Sequence, residues 1–129
     1  MPHTNEHMVY EAFSAFSVGD LEAIRRTWAP DIVWHVAGRS QLAGDHKGAA
    51  EILAFLTKLD TLTKGTFKVE LQNALCDDEI GFSLHRWMAE LGGKPFVSFD
   101  VLVYRFEDGE VAEVWSHPFD HRLAEDLFA

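Results

Sequence analysis

The sequence predicts an α+β domain in which three N-terminal helices pack on one face of a curved antiparallel sheet. Apolar residues recur at helical spacing three times before residue 60, and strict two-residue alternation begins at Phe67. Turn pairs at Asp77-Asp78, Gly92-Gly93 and Asp108-Gly109 then divide the remainder into long strands. Helices grouped ahead of consecutive strands give segregated layers rather than alternating βαβ units. A cone of this kind leaves a cavity between helices and sheet, suited to small apolar ligands.

Val9, Phe13 and Phe16, with Ala12 between them, form one apolar stripe, so a first helix is predicted over about Thr4 to Val18, ending at Gly19. Asp20 offers its carboxylate as an N-cap to a short second helix whose Leu21, Ile24 and Trp28 share a face, with Pro30 stopping it. Ile32-Val33-Trp34-His35-Val36 is rich in strand formers and predicts the first strand, followed by a Gly-containing loop from Gly38 through Gly48. Ile52, Phe55, Leu56 and Leu59 restore helical spacing and predict a third helix over about Ala49 to Leu59.

From Phe67 the apolar Phe67, Val69 and Leu71 alternate with Lys68, Glu70 and Gln72, so one face of this strand is apolar and the other wet, as far as Cys76. Strands over Ile80 to Glu90 and Lys94 to Glu107 follow, and Asp108-Gly109 opens the last hairpin. A C-terminal helix is expected from about His121. No repeat, low-complexity segment or interdomain linker interrupts the chain, so residues 1–129 are read as one domain.

Composition narrows the function. The 129 residues carry a formal charge of −10 spread along the chain, with no run of Lys or Arg able to neutralise several phosphates. Nucleic acid and membrane surfaces are therefore not expected partners. The single cysteine, Cys76, reads as a small core residue, and a reducing compartment suffices. No basic segment precedes an apolar run and no apolar stretch approaches the ~20 residues of a membrane span, so a cytoplasmic protein is expected. No P-loop, G-x-G-x-x-G, G-x-S-x-G or C-x-x-C pattern is present, so no nucleotide, dinucleotide, serine-hydrolase or thiol-redox chemistry is expected.

Four segments together point further: G-D-L at 19–21, P-D-I-V-W-H at 30–35, G-x-x-x-G at 44–48, and F-E-D-G-E-V-A-E-V-W-S-H-P-F-D at 106–120. In this order the chain resembles the SnoaL-like family of the superfamily containing nuclear transport factor 2 and ketosteroid isomerase. The resemblance covers almost the whole chain and implies the conical nuclear transport factor 2-like, or cystatin-like, fold, usually as a dimer. It also implies a pocket that elsewhere hosts isomerases, polyketide cyclases, epoxide hydrolases and non-catalytic binders. Fold alone does not choose among these.

Departures from the family's patterns matter as much. Counting from the Gly-Asp corner, the isomerase's oxyanion Tyr falls on Ala12 and its general-base Asp on Val36, beside His35. The second oxyanion donor, a protonated Asp, has no counterpart in place, although Asp100 lies two residues earlier on the same strand face. In cyclases and epoxide hydrolases the last strand ends in a segment like W-R-D-x-x-D or H-R-D-x-x-D. Here His117 stands at the acid/base position and Asp120 keeps the second Asp, while Arg86 with Asp100 imitates at most two members of the hydrolases' Asp-Arg-Asp network.

The candidate catalytic residues are thus His117, Asp100 and His35. An imidazole near pKa 6.5 both accepts and donates protons at neutral pH, although His117 before Pro118 also reads as a strand-end structural histidine. Alternation sets His35 opposite Trp34, either as a satisfied buried histidine or as a pocket contact. Asp100 interrupts an apolar strand, which is costly unless it pairs with His85 or Arg86 across the Gly92-Gly93 hairpin or faces a cavity. Asp120 either orients His117 or caps the C-terminal helix.

Trp115, Phe13, Phe16 and Trp28 are candidates for substrate contact, with core or dimer packing as their first reading. The His117, Asp120 and His121 grouping lacks a convergent ligand set with fixed spacing, so neither a metal nor another cofactor is expected. These residues lead to a small-molecule protein, either a cofactor-free isomerase or polyketide-cyclase-type enzyme moving a proton next to a carbonyl, or a non-catalytic binding or dimerisation module. The expected ligand is small and apolar or carbonyl-containing. The expected assembly is a homodimer through the outer sheet face, whose Phe, Val and Trp exceed what three short helices cover.

Overall fold

The computed structural model describes residues 3–129. Helix α1 (Thr4–Ser17) starts at a capping box: the His3 ring accepts from the Asn5 N–H at 3.0 Å and the Glu6 carboxylate accepts from the His3 N–H at 2.9 Å. Asn5, although polar, is buried because its amide donates to the Asp77 carbonyl at 2.9 Å, which ties the start of α1 to a turn of the sheet. Helix α2 (Leu21–Arg25) is capped by Asp20, which accepts from the Ala23 N–H at 3.1 Å.

The second helix is shorter than its spacing suggests. It ends at Arg25, and Trp28 opens strand β1 (Trp28–Val36), so Pro30 lies within a strand instead of stopping a helix. Proline is accommodated because the register against the neighbouring strand shifts between Trp28 and Val33, where a missing N–H breaks no ladder. A second correction concerns the Gly38–Gly48 segment. Its end forms a short strand, β2 (Gly44–Lys47), antiparallel to β1. Its residues Gly-Asp-His-Lys are mostly exposed and carry no apolar alternation, as befits an edge.

Helix α3 (Gly48–Leu62) runs slightly beyond both expected ends and buries Ile52, Phe55, Leu56 and Leu59. Four strands follow, β3 (Lys68–Cys76), β4 (Ile80–Leu91), β5 (Lys94–Glu107) and β6 (Glu110–Pro118), and then helix α4 (His121–Leu127). The six strands form one curved sheet in the order β2-β1-β6-β5-β4-β3. All neighbours are antiparallel except β1 and β6, which run parallel, so the sheet is mixed at one seam.

Gly92 and Gly93 both have positive φ, +60° and +80°, as a two-residue hairpin of the tightest kind requires. That turn fixes the β4–β5 register, setting His85 opposite Asp100 and Trp87 opposite Ser98. Inward positions then alternate strictly: His85 and Trp87 on β4, Ser98, Leu102 and Tyr104 on β5, Val114 and Ser116 on β6 are all buried. They face α1 and α3, and Ile32, Ile52 and Val114 are the most deeply buried apolar side chains. Among the described residues no helix is long and apolar enough to cross a membrane.

Candidate functional site

Between the inner sheet face and the helices lies a cavity of about 150 Å³. Its helical wall is apolar: Val9, Ala12, Phe13 and Phe16 from the α1 stripe, and Phe55, Leu56 and Leu59 from α3. The sheet supplies Trp28 and Trp34 from β1 and a small set of polar groups from β4, β5 and β6. No lysine or arginine occurs among the lining residues, and Asp100 is the one carboxylate.

The polar groups differ in how well they are satisfied. Ser83 and Tyr104 share a hydrogen bond of 2.6 Å, and the Trp34 indole N–H donates to the Ser116 hydroxyl at 2.7 Å. His85 is 6% exposed, yet its Nδ1 has no hydrogen-bond partner; its ring lies beside the Phe13 ring, centroids 5.3 Å apart. Burial pushes the His85 imidazole down to about 4, so the ring is neutral at physiological pH. Beside it, Asp100 accepts a single hydrogen bond, from the Trp87 indole N–H at 3.0 Å. Burial raises the Asp100 carboxyl above its usual range, against the opposing pull of that N–H and of the charge on His121.

His85 and Asp100 face each other in register without forming a hydrogen bond to one another. The cavity therefore has a weak, neutral imidazole and a desolvated carboxylate side by side on an apolar wall. Such a pair can present an N–H to a carbonyl oxygen and remove or return a proton nearby.

Of the residues the sequence brings forward, Asp100, Phe13, Phe16 and Trp28 line the cavity, whereas His117, His35 and Trp115 do not. The reason is the strand period. With Val114 and Ser116 inward on β6, His117 and Trp115 must point outward, and with Trp34 inward on β1, His35 points outward too. His117 is exposed. The expected convergence of His117, Asp100 and His35 is thus absent, and only Asp100 reaches the cavity. The isomerase-equivalent position Ala12 lies on the cavity wall, where it offers no donor.

His35 instead anchors an outer-face network. Its two ring nitrogens meet Asp45 and Glu113, each at 2.6 Å, and it stacks on Trp115 at 5.4 Å between centroids. Burial pulls its pKa down, but the two carboxylates outweigh it and hold it above the ordinary value. Asp120 accepts from the Leu123 N–H at 2.9 Å and so caps α4. Cys76 is a half-buried thiol pushed up to about 11, in keeping with a packing role. Among the described residues no group of three or more His, Cys, Asp or Glu is placed to hold a metal ion.

In the sequence alone His85 stands out only as a pairing option for Asp100. The signal was available, since counting outward from Gly92-Gly93 sets residue 85 against residue 100 and Arg86 on the opposite face.

Comparison with known proteins agrees with this architecture. A family model described as a SnoaL-like domain matches residues 9–114. The solved structure of Bal32a, from a soil-derived mobile gene cassette, is 32% identical, covers 98% of this chain and 97% of its own, and superposes with a TM-score of 0.91. An uncharacterized protein of Mycobacterium tuberculosis is 26% identical over 123 residues, 95% of this chain and 94% of its own length. TerC, co-crystallized with polyporic acid, shares the fold with a TM-score of 0.85 at 19% identity over 97% of this chain and 98% of its own.

Proposed function

Because the chain belongs to the SnoaL-like family, we propose that its cone binds a small carbonyl-containing molecule and moves a proton next to that carbonyl without a cofactor, as an isomerase or cyclase does. One observation carries this reading: His85 and Asp100 stand side by side on the wall of an otherwise apolar cavity, with hydrogen-bonding capacity that the protein itself leaves unused. A fully buried polar group without a partner is costly, so its retention favours a partner arriving from the cavity.

In this mechanism Asp100 is the proton acceptor. Its desolvated carboxylate is a stronger base than an exposed one and is held in place by the Trp87 N–H. Neutral His85 presents an N–H to the carbonyl oxygen and stabilises the charge that develops there. The aromatic walls exclude water and strengthen both interactions.

The test is solvent deuterium exchange of α-hydrogens in small ring ketones, followed by NMR. The protein should accelerate exchange over buffer, and Asp100→Asn, which still accepts from Trp87, should lower the rate by about 10²-fold to 10⁴-fold. Ala12 and Val36, where isomerases of this superfamily carry catalytic groups, favour a second reading as a non-catalytic binding module. Ligand binding with exchange no faster than in buffer would establish that reading and remove the enzymatic one.

A further inference from the structure

We infer that Phe128 is a positioning residue for Asp100, acting through the Trp87 indole, and that seating of helix α4 against the sheet completes the candidate site. The inference rests on the proposed use of Asp100 and adds how that carboxylate is held.

The contacts run from the C-terminal helix to the cavity. The β4–β5 register fixes where Asp100 stands, and the Trp87 indole N–H, donating at 3.0 Å, fixes which way its carboxylate points. The direction of that N–H depends in turn on what the indole ring packs against, since a tryptophan side chain turns about two bonds. Two rings flank it. Phe67 stacks on it at 5.8 Å between centroids and 27° between planes, and Phe128 lies at 6.3 Å and 42°. Phe67 lines the cavity, whereas Trp87 and Phe128 do not. Phe128 therefore backs the indole from a place where no ligand in the cavity displaces it.

Phe128 is also the residue that seats α4. The helix (His121–Leu127) has no buried residue of its own, and seven residues are too few to stay helical in water without support. Asp120 caps its first turn, and Phe128, directly after its last turn, is 5% exposed within the core. The Phe128 N–H donates to the Ala124 carbonyl at 3.1 Å, and its own carbonyl accepts from the Gln41 N–H at 2.7 Å. Lys58 of α3 donates to the Gln41 carbonyl at 3.2 Å, which braces that segment against the helical layer. Gly38, with φ +101°, admits the close approach, because a Cβ there would lie 3.3 Å from a Glu125 carboxylate oxygen.

The other end of α4 reaches the same carboxylate. Burial raises the Asp100 carboxyl, the Trp87 N–H opposes that, and so does the charge on His121, the first residue of the helix. Helix α4 thus acts on Asp100 from both ends, by charge at His121 and by packing at Phe128.

The experiment separates positioning from packing with two variants and their combination. Phe128→Leu keeps an apolar side chain in the core and removes the ring, while Trp87→Phe keeps a ring at residue 87 and removes the N–H. In NMR spectra Phe128→Leu should shift the Trp87 indole N–H signal, with the Trp34 indole, whose N–H is held by Ser116, unmoved as an internal control. In α-hydrogen exchange of cyclohexanone, Trp87→Phe should lower the saturating rate about tenfold, one hydrogen bond's worth, with the half-saturating concentration within about twofold of wild type. Phe128→Leu should lower the rate severalfold, and the double variant should be no slower than Trp87→Phe alone, because both changes act on one hydrogen bond. An unmoved Trp87 signal, an undiminished rate in Phe128→Leu, or losses that multiply in the double variant would each overturn the inference. Phe128→Met carries the same comparison if the leucine variant does not fold. A shifted Trp87 signal with wild-type exchange no faster than in buffer would sustain the positioning of Asp100 and refute the catalysis.

Discussion

Lowering the pH should destabilise the protein through His85, and replacing that residue should remove the effect. In the folded chain the ring is neutral with a pKa of about 4, against 6.5 when unfolded. Between these values the unfolded state binds a proton that the folded state refuses, so stability falls as pH falls through the window. At about 1.4 kcal/mol per pH unit, the wild-type protein loses about 2 kcal/mol from pH 8 to pH 5 and about 3 kcal/mol by pH 4 from this group alone. Urea denaturation of wild type and His85→Leu at pH 8, 6 and 5 isolates it. His35 acts in the opposite sense, because its raised pKa gives stability that is complete below 6.5 and lost as pH climbs above it, but that contribution is common to both proteins and cancels. At pH 8 the leucine variant should be close to wild type, since the change removes a buried nitrogen without a partner. Parallel stability curves for the two proteins from pH 8 to pH 5 would refute the claim that His85 is buried neutral in the cone.

Gly81 faces Cys76 so closely that a Cβ there would lie 2.5 Å from the sulfur and 3.0 Å from the Phe106 ring. Gly81→Ala should therefore cost about 1–3 kcal/mol in denaturant melts, with Cys76→Ala restoring part of it. His117 is exposed on the outer face, so His117→Asn should change stability by less than about 0.5 kcal/mol and leave deuterium exchange unaltered; a hundredfold loss of exchange would return it to the chemistry. On the same outer face Leu75, Phe82 and Val97 are 65%, 49% and 53% exposed, and we propose that a second copy of the chain covers them. Sedimentation equilibrium at micromolar concentration should show a homodimer, and a species of 14.6 kDa alone would refute it.

What the sequence disclosed follows from how local each signal is. The stripes Val9-Phe13-Phe16 and Ile52-Phe55-Leu56-Leu59 are recognisable because a helix writes its buried face into its own spacing, and both appear where expected. The hairpin at Gly92-Gly93 is equally self-contained. Strand β2 escaped because an exposed edge of four polar residues has no pattern of its own and exists only by pairing with β1. The β1–β6 parallel seam is likewise invisible, being a contact between residues some 80 positions apart. His117 drew attention by its place in a family motif, yet which face it occupies depends on the orientation of the whole sheet, and alternation alone supplies only relative sides.

That last point explains why the candidate site lies mid-sheet instead of at the strand end. The two faces treat polar residues differently. On the outer face His35 joins two carboxylates, Arg105 bridges Glu113 and Glu107, and Arg86 reaches Glu70. On the inner face Ser83, Tyr104, Trp34 and Ser116 are paired within the wall, while His85 and Asp100 retain unused capacity. If these two served packing alone, apolar residues of similar size would cost the fold nothing and would spare it an unpartnered buried nitrogen. Their position opposite one another, fixed by a two-residue glycine turn at the far end of the hairpin, gives a rigid pair of groups that needs no loop to hold its geometry. Chemistry placed there would depend on the register of β4 against β5. An inserted residue in the Gly92-Gly93 turn that shifted β4 by a single position would carry His85 to the outer face together with Trp87 and Ala89, so ligand binding and the core packing of the sheet would be lost together.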